Sequence, residues 1–408
     1  MKKVLLFLVI FSVLNATTLK SMLSSSKVKN DSLLAKKIEI LSSKKAVEAI
    51  DASYKPTIDI EAFATNQNPR NFMRAGATYG LSAKLNYIVF DGGVKKSIKR
   101  QKEFELLSKI FASKQFEKSI ELKIVQDYFA LKSLNALIGS LKSKQASIRS
   151  HLKKVKLLTA SDMLAKSELY RLQASLEMLK YNISSLKLQQ KSLLSSLSLR
   201  SGLKVKAIGN SHFLKKRVSF EASSEIRALL AQSAAIRSGA AAIGSQNNPK
   251  LNLALDYSIY GYGRDDLMHP KGLDKQAKVT LGASMRVYDG GATKANSEAQ
   301  KLRAMAVAIE AKYKLKEQKN SFNIAKARIK TIKSKIKSAR ATLKAAKKYL
   351  NEMEQKFSAG FVDSSYYLDA LSQKVQADAE YKRAINDLEV AYALYYYYGG
   401  KNIKGYIR

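Results

Sequence analysis

The chain contains no cysteine and only three histidines. Without cysteine it has no disulfide framework and no thiol to carry a lipid. The histidines, His151, His212 and His269, are scattered and show no metal-binding spacing, so we interpret each as a solvated polar residue. The sequence therefore predicts neither a metal site nor a cofactor.

Long apolar runs are also missing, except at the start of the chain. Residues 1–16, MKKVLLFLVIFSVLNA, begin with two lysines, continue with an apolar run and end in small and polar residues. This is the layout of a secretory signal peptide, and the run is shorter than the about 20 apolar residues of a transmembrane helix. We predict an exported protein that loses its signal peptide after Ala16 and has no helical membrane span.

Acidic residues are few, with 33 Asp and Glu against 72 Lys and Arg and a formal net charge of +39. In a cytosolic protein this excess would suggest nucleic acid, but export argues against such a partner, so none is predicted. Anionic lipid, lipopolysaccharide, acidic proteins and anionic cargo remain open. The densest stretch, 318–351, has 11 basic residues and no acidic one. It is either a solvated helix exterior, or a surface that docks an acidic adaptor or lines a tunnel for anionic cargo.

Two passages read almost alike, YIVFDGGVKKS at 87–97 and MRVYDGGATKA at 285–295. Each ends a strand-like pattern and precedes a long helical pattern, and glycine tolerates the positive φ angles of a sharp turn. The predicted strand-to-helix turns are Asp91, Gly92 and Gly93 in the first passage and Asp289, Gly290 and Gly291 in the second. This internal duplication predicts a first repeat of helix, β-hairpin, long helix and short helix over 17–200, a connector over 201–220, a second repeat over 221–400 and a tail over 401–408.

Four segments alternate between apolar and polar residues, which is the period of a strand with two different faces. The first and third follow Pro56 and Pro249, and the fourth is predicted to end at Val287. The predicted apolar face contains Leu81, Leu85, Leu253, Leu255, Leu281, Ala283 and Met285, and the opposite face contains Asp256, Ser284 and Arg286. The strands fit either a half-buried sheet packed on helices or the wall of a membrane β-barrel. Four strands cannot close a barrel, so a membrane wall would need several chains to pool their strands.

The remaining sequence has a helical period. A first helix is predicted over 27–53, and steps of 3, 4 and 7 residues between apolar positions from Ile120 to Val155 and from Phe322 to Met353 indicate coiled-coil seams. The two long helices are predicted to end at tip turns. These turns contain Ala160 and Ser161 in the first repeat and Gly360 and Phe361 in the second.

The chain resembles the TolC-like outer-membrane efflux proteins. The resemblance covers essentially the whole mature chain and rests on the duplicated plan, the prolines before the hairpins, the VFDGG and VYDGG junctions, and FSAGFVDSSYYLDA at 357–370. It implies a mixed α/β membrane channel in which three chains pool four strands each into a 12-stranded β-barrel, above a long coiled-coil α-helical barrel. It also implies a homotrimer in outer-membrane lipid that reaches into the periplasm, an adaptor protein and an inner-membrane pump, in an efflux or type I secretion system.

The resemblance further implies a periplasmic gate. Counted from Gly360, two acidic positions of the family fall on Tyr366 and Asp369, of which only Asp369 keeps its charge. Counted from Ala160, which replaces a glycine, a further gate-linking position falls on Lys166, which would attract Asp369. Alternatively, Asp369 is merely a solvated residue of the last helix.

Two other classes of protein, a periplasmic adaptor and an enzyme, fit the sequence less well than a channel. A periplasmic adaptor with a coiled-coil hairpin would also be exported and helical, but adaptors generally do not repeat a strand pair. An enzyme is disfavoured because the sequence contains no nucleophile elbow, HExxH, P-loop or paired catalytic carboxylates. The sequence names no cargo.

Overall fold

The structure, a computed structural model, describes residues 17–68, 76–161, 165–263 and 274–408. The predicted signal peptide and His269 lie outside the described residues. In chain order the elements are α1 Leu19–Lys29, α2 Asp31–Ala52, β1 Thr57–Asn66, β2 Ala77–Phe90, α3 Val94–Ala160, α4 Lys166–Ser201, α5 Ser224–Gly244, β3 Lys250–Tyr262, β4 Lys275–Ser284, α6 Ala292–Ser358, α7 Ser364–Tyr398 and a short 3-10 helix Ile403–Tyr406. The order helix, hairpin, long helix, shorter helix occurs twice, as predicted. Both α3 and α6 have 67 residues and are about 100 Å long.

The residues form two compact units, each of which draws on both repeats. The strand unit consists of Lys37–Ala112 and Glu225–Lys314, and therefore contains the whole sheet. The helical unit consists of residues 17–36, Ser113–Ser224 and Leu315–Arg408. The compact units therefore do not follow the predicted repeat boundaries, which stay a prediction.

The sheet of the strand unit is antiparallel with the order β1-β2-β3-β4. Its register places apolar residues opposite one another, so that Ile58, Leu85, Leu255 and Val279 form one row across all four strands. Directly paired residues lie on the same face of a sheet. The alternation read from the sequence is therefore continuous from strand to strand.

The predicted end of the fourth strand is wrong. The strand ends at Ser284, which pairs with Lys250, so Met285 and Arg286 lie beyond it. Pro249 precedes Lys250 and has no backbone N–H to donate, so the pairing with β3 has no continuation there. The prediction rested on alternation alone, which continues to Val287, beyond the last residue of β4 that pairs with β3.

The predicted first helix over roughly 27–53 corresponds to α2, but α2 begins only at Asp31 and a further helix, α1, precedes it and meets it at Asn30. The Asn30 side-chain oxygen accepts a hydrogen bond from the backbone N–H of Leu33 at 3.1 Å, which caps the start of α2. Its amide nitrogen donates to the carbonyl oxygen of Arg200 at 2.8 Å. The side chain that starts the second helix thus also ties it to the end of α4.

The core of the helical unit follows the predicted seams. Every apolar position that steps from Phe322 to Met353 is buried or half-buried. An aromatic cluster extends this core to the connector, where the ring of Phe213 lies 6.2 Å from that of Phe129 on α3 and 6.1 Å from that of Tyr396 on α7, between ring centroids. The C-terminal tail joins the same core, because Ile407 bridges Phe213. Connector and tail are therefore integral parts of the unit.

Both Asp-Gly-Gly turns begin a long helix through the aspartate. Asp91 accepts a hydrogen bond from the N–H of Gly93 at 3.0 Å, and Asp289 accepts from those of Gly291 and Thr293, both at 2.9 Å. Hydrogen bonds from Thr293 and Asn247 hold the pKa of Asp289 well below its usual range. Both aspartates were among the predicted turn residues, and the structure adds their role, because the carboxylates satisfy the first free N–H groups of each helix.

The two turns differ in their surroundings. Gly92 and Gly290 have φ angles of +74° and +67°, which favour glycine. A Cβ atom at Gly92 would lie 2.5 Å from Cβ of Asn248, whose amide nitrogen donates to the Gly92 carbonyl oxygen at 2.8 Å. At Gly290, no atom of the described residues would lie within 4 Å of an added Cβ. The first turn is thus packed against the start of the second hairpin, and the second turn is open.

We therefore expect Gly92→Ala to destabilise the protein more than Gly290→Ala. Both changes impose a positive φ on alanine, which costs about 1 kcal/mol, but only the first also drives Cβ into Asn248. Thermal unfolding of the two purified variants in detergent measures the difference, with Gly93→Ala as a second turn variant whose added Cβ meets open space among the described residues. Equal midpoints for Gly92→Ala and Gly290→Ala would show that the Asn248 contact is unimportant.

Candidate functional site

One face of the sheet is apolar and uncovered within the single chain. The predicted residues Leu81, Leu85, Leu253, Leu255, Leu281 and Ala283 all lie on it, by the register of the strands. Ile60 is 78% exposed and Leu281 is 69% exposed, although burial of such side chains is ordinarily favourable. Their contact with lipid stays a prediction.

The opposite face carries a row of alternating charge. Asp59 pairs with Lys84, Lys84 with Asp256, and Asp256 with Lys278, so that the charges read minus, plus, minus, plus across the sheet. The Lys84 ammonium also lies 2.6 Å from a carboxylate oxygen of Glu61. Opposite charges on adjacent strands stabilise their pairing. The sequence shows the four charged residues but not that they form one row, because the register is a property of the folded sheet.

The tip turns lie where both long helices end. Ala160 is the last residue of α3 and Ser161 the first of the turn, while Asp162 to Leu164 lie outside the described residues. In the second repeat, Gly360 has a φ of +78°, as expected for a glycine that ends a helix. Phe361 follows it and is 82% exposed.

The predicted gate residues lie near the second tip turn, on exposed positions of α7. Tyr366 is 54% exposed, and exposed Asp369 accepts a hydrogen bond from the side chain of Gln373 at 2.7 Å. Burial lowers the pKa of Lys144 on α3, and the charge of Asp369 opposes that effect. Lys166 is exposed, and within the described part of the chain no ion pair joins it to Asp369. The Lys144 ammonium donates a hydrogen bond to the hydroxyl of Ser372, which lies three residues after Asp369 on α7.

Polar contacts between the repeats, which the sequence analysis missed, link α3 to α7. Ser140 donates to a carboxylate oxygen of Asp378 at 2.5 Å, and the Asn386 amide donates to the Ser133 hydroxyl at 2.9 Å. Near the tip, Ser364 at the start of α7 hydrogen-bonds to Glu168 at the start of α4. Serines seven residues apart within an apolar seam were a signal in the sequence, but their partners were not.

His151 is buried, so its interpretation as a solvated residue is wrong. Only 8% of it is exposed, and its ring lies between Tyr367 and Phe357 at centroid distances of 4.1 and 5.3 Å. Its Nδ1 atom is buried and has no hydrogen-bond partner among the described residues. Burial lowers the pKa of His151, and the charge of Lys154 lowers it further against the opposing effect of Glu354. A neutral ring therefore fills the core just behind the tip.

Two uncharged helix faces, one on α4 and one on α6, are exposed in the single chain and differ in the size of their side chains. On α4, apolar side chains are exposed on the side opposite the buried Leu172, Leu176 and Leu179. These exposed side chains are Tyr170, Met178, Tyr181, Leu188 and Leu199. On α6, an uncharged stripe of mostly small exposed residues comprises Asn320, Ile324, Ala327, Thr331, Ser334, Ser338, Ala341 and Ala345. A stripe of large apolar residues and a stripe of small ones have complementary shapes.

Among the described residues, none of the helices combines the length and apolarity needed to span a bilayer. The same residues contain no group of three or more His, Cys, Asp or Glu side chains placed to hold a metal ion.

Comparisons with known proteins agree with the fold. Residues 219–399 match the family described as outer membrane efflux protein. The CmeC outer membrane channel of Campylobacter jejuni is similar with a TM-score of 0.83 and 15% identity, over 95% of this chain and 86% of that chain. The outer membrane protein VceC of Vibrio cholerae has a TM-score of 0.80 and 12% identity over 94% and 96%. The open state of the MtrE outer membrane channel of Neisseria gonorrhoeae has a TM-score of 0.77 and 15% identity over 94% and 89%. No curated protein matches the chain in sequence.

The second half of the chain is thus an outer membrane efflux protein domain, and the whole chain has the fold of the outer-membrane channels. At this low identity the solved structures show the fold alone, so the family match carries the rest. The predicted family, the mixed fold class and the outer-membrane localisation are confirmed. The matched proteins are efflux or channel proteins rather than enzymes.

We expect stability to fall as the pH is lowered through the range in which a free histidine titrates, about pH 6.5. Because burial lowers the pKa of His151, the unfolded chain takes up a proton there at a pH at which the folded chain does not, and this favours unfolding. Above that range both states are neutral and the effect vanishes. Thermal unfolding between pH 8 and pH 5 should show a smaller loss for His151→Phe than for wild type. Lys153→Gln, at an exposed position of the same helix, removes no histidine and is the control that should keep the wild-type slope, whereas a wild-type slope in His151→Phe would contradict the assignment.

Proposed function

We propose that the chain is one of three protomers of a passive duct through the outer membrane, serving a tripartite efflux or type I secretion system. A periplasmic adaptor and an inner-membrane pump would complete the system, and the chain itself would carry out no catalysis. The observation that carries the proposal is the sheet, which has one apolar face and two unpaired edge strands, β1 and β4. In lipid every backbone polar group must be paired, so these edges need partners.

Three copies supply those partners. If β4 of one copy pairs with β1 of the next, 12 strands close a barrel whose apolar face meets lipid and whose polar face lines the lumen. The charge row supports this pairing, because it begins with Asp59 on β1 and ends with Lys278 on β4. Joining the two edges continues the alternation of charge around the barrel. A like-charged pair at the joint would have opposed it.

The free helix faces support the same assembly. Met178 lies 12 residues after the first residue of α4, and Ala345 lies 13 residues before the last residue of α6, so their distances from the tip turns differ by only one residue. The large side chains of α4 would pack on the small residues of α6 from the next copy, which allows the helices to approach closely. Within one chain, both faces are exposed to water.

The periplasmic end of such a duct must be shut at rest, and we propose Tyr366 and Asp369 as its constriction. Both are exposed near the tip in the single chain, as residues that line a pore would be. Three copies would then form an aromatic ring beside an anionic ring. The hydrogen bonds of Lys144 and Glu168 to serines of α7 would restrain the tip within each chain, and the attraction between Lys166 and Asp369 stays a prediction.

The alternative, a periplasmic adaptor, draws no support from the family match or from the fold. A passive duct needs no catalytic group, and the sequence offers no motif for one. We therefore retain the channel as the one proposed function.

Cysteine pairing tests the assembly without background, because the chain has no cysteine of its own. The double variant Met178→Cys with Ala345→Cys should form disulfides between chains and give dimers and trimers on a non-reducing gel. The control replaces Ala345→Cys by Lys344→Cys, the next residue on α6, which points away from the uncharged stripe. A disulfide needs Cα atoms within about 7 Å. Equal cross-linking in both variants, or none in either, would contradict the proposed interface.

Conductance of the purified protein in planar bilayers tests the duct and its gate. Asp369→Ala should change block by cations and ion selectivity, because it removes a ring of negative charge, and Tyr366→Ala should raise the resting conductance. Asp363→Asn is the control, since it removes an acidic group of the same tip outside the proposed constriction. If both gate variants conduct like wild type, the constriction lies elsewhere. If wild type itself does not conduct, the proposed duct is wrong.

A further inference from the structure

The basic residues of α6 occupy one continuous side of the helix. In a heptad count that starts at Phe322, the buried apolar seam occupies two of the seven positions. The two positions that follow it on one side of the helix carry most of the basic residues. These residues, here called the basic stripe, are Lys319, Lys326, Lys330, Lys333, Lys337, Arg340, Lys344 and Lys347. All eight are exposed, and they cover about 42 Å of helix. No acidic residue interrupts them.

The basic stripe has no counter-charge in its own chain. Across the described residues, no ion pair involves any of its eight members. Lys335, which lies on the other side of the seam, is by contrast paired with acidic residues of α7. Its ammonium is 2.9 Å from Glu380 and 3.6 Å from Asp387 of α7. Like charges at neighbouring helical positions repel one another, so an unpaired stripe disfavours the isolated helix.

The arrangement of faces around α6 indicates where the basic stripe points in the proposed duct. Around the helix, the seam is followed by the basic stripe, then by the uncharged stripe, and then by one position that holds Arg328, Lys335, Thr342 and Tyr349. The seam packs on α7, and the proposed assembly places the uncharged stripe against the next copy. In a closed ring of helices, the narrower side between two neighbours faces the axis. The heptad position that holds Arg328 and Lys335 occupies this narrower side, which faces the axis. The basic stripe occupies the wider side, which faces outwards.

We infer that the basic stripe is a lateral docking surface on the outside of the duct for an acidic α-helix of a partner protein. The inference rests on the proposed function, because the outward direction follows from the ring of helices. From Lys326 to Lys347 the charges recur every three or four residues, about 5 Å apart. A helix lying alongside, with acidic residues on one stripe, repeats at the same interval and stays in register over several turns. Single exposed ion pairs are weak, so such a surface recognises its partner through many pairs at once.

Other occupants fit less well. A second copy of the chain is as basic as the first, and its helices offer no run of acidic residues at this spacing. An anionic cargo would pass along the axis, on the other side of the helix. An extended or disordered polyanion has no repeat that stays in step with the stripe.

Binding of designed peptides to the full-length trimer in detergent tests the inference. The probe is a fluorescent 28-residue helical peptide of alanine and glutamate, with the glutamates every three or four residues on one side. A peptide of the same composition with its glutamates spread around the helix and inorganic polyphosphate are the comparison ligands. The stripe variant combines Lys326→Gln, Lys333→Gln, Lys337→Gln and Lys344→Gln. The matched control removes four exposed lysines elsewhere, Lys153→Gln, Lys156→Gln, Lys187→Gln and Lys191→Gln.

We expect the stripe variant to bind the peptide with glutamates on one side with an affinity at least about tenfold lower than that of wild type. The control variant should bind this peptide with the wild-type affinity. Equal losses in both variants, or equal binding of the spread peptide or of polyphosphate, would overturn the inference in favour of unspecific attraction by net charge. Ion selectivity in planar bilayers separates this inference from the proposed function. The stripe variant should keep the wild-type selectivity, whereas a shift towards cations would place the stripe inside the duct and overturn the inference while the channel stands. A wild type without conductance would count against the channel instead.

Discussion

The structure depends on one constraint, namely that a sheet in lipid cannot leave an edge unpaired. The single chain has four strands, one mostly apolar face and two edge strands without partners in the sheet, so it cannot close a barrel alone. Its two edges carry opposite members of one charge row, Asp59 and Lys278, and its helices carry complementary large and small stripes. In the proposed duct, strands and helices have the same requirement, which is another copy of the chain on each side.

Much of this architecture could be predicted from the sequence, because its causes are local and periodic. The seam from Phe322 to Met353 steps by three and four residues without interruption, and that pattern alone defines which side of α6 is buried. The Asp-Gly-Gly motifs indicate where a strand is followed by a long helix. Because the same order of elements occurs twice in the sequence, the internal duplication could be predicted as well. The strands could be recognised by their alternation, which needs no knowledge of their neighbours.

Features that depend on partners distant in sequence could not be predicted. The fourth strand ends at Ser284 because the facing strand begins at Lys250, directly after Pro249, and alternation contains no information about the facing strand. His151 is polar in sequence and buried in the structure because two rings of α6 and α7 enclose it. The gate residues were placed by resemblance, and the hydrogen bond from Lys144 to Ser372 of α7, which no motif marks, depends on how the two helices pack.

The central claim is that three chains together close the barrel, and the mass of the intact complex tests it most directly. Native mass spectrometry of the full-length protein, released from detergent in the instrument, counts the chains in each particle. The account predicts particles of three chains of the same mass, with no stable population of one or two. A predominant single chain that keeps its folded sheet would contradict it, because the edges of β1 and β4 would then be stable without partners.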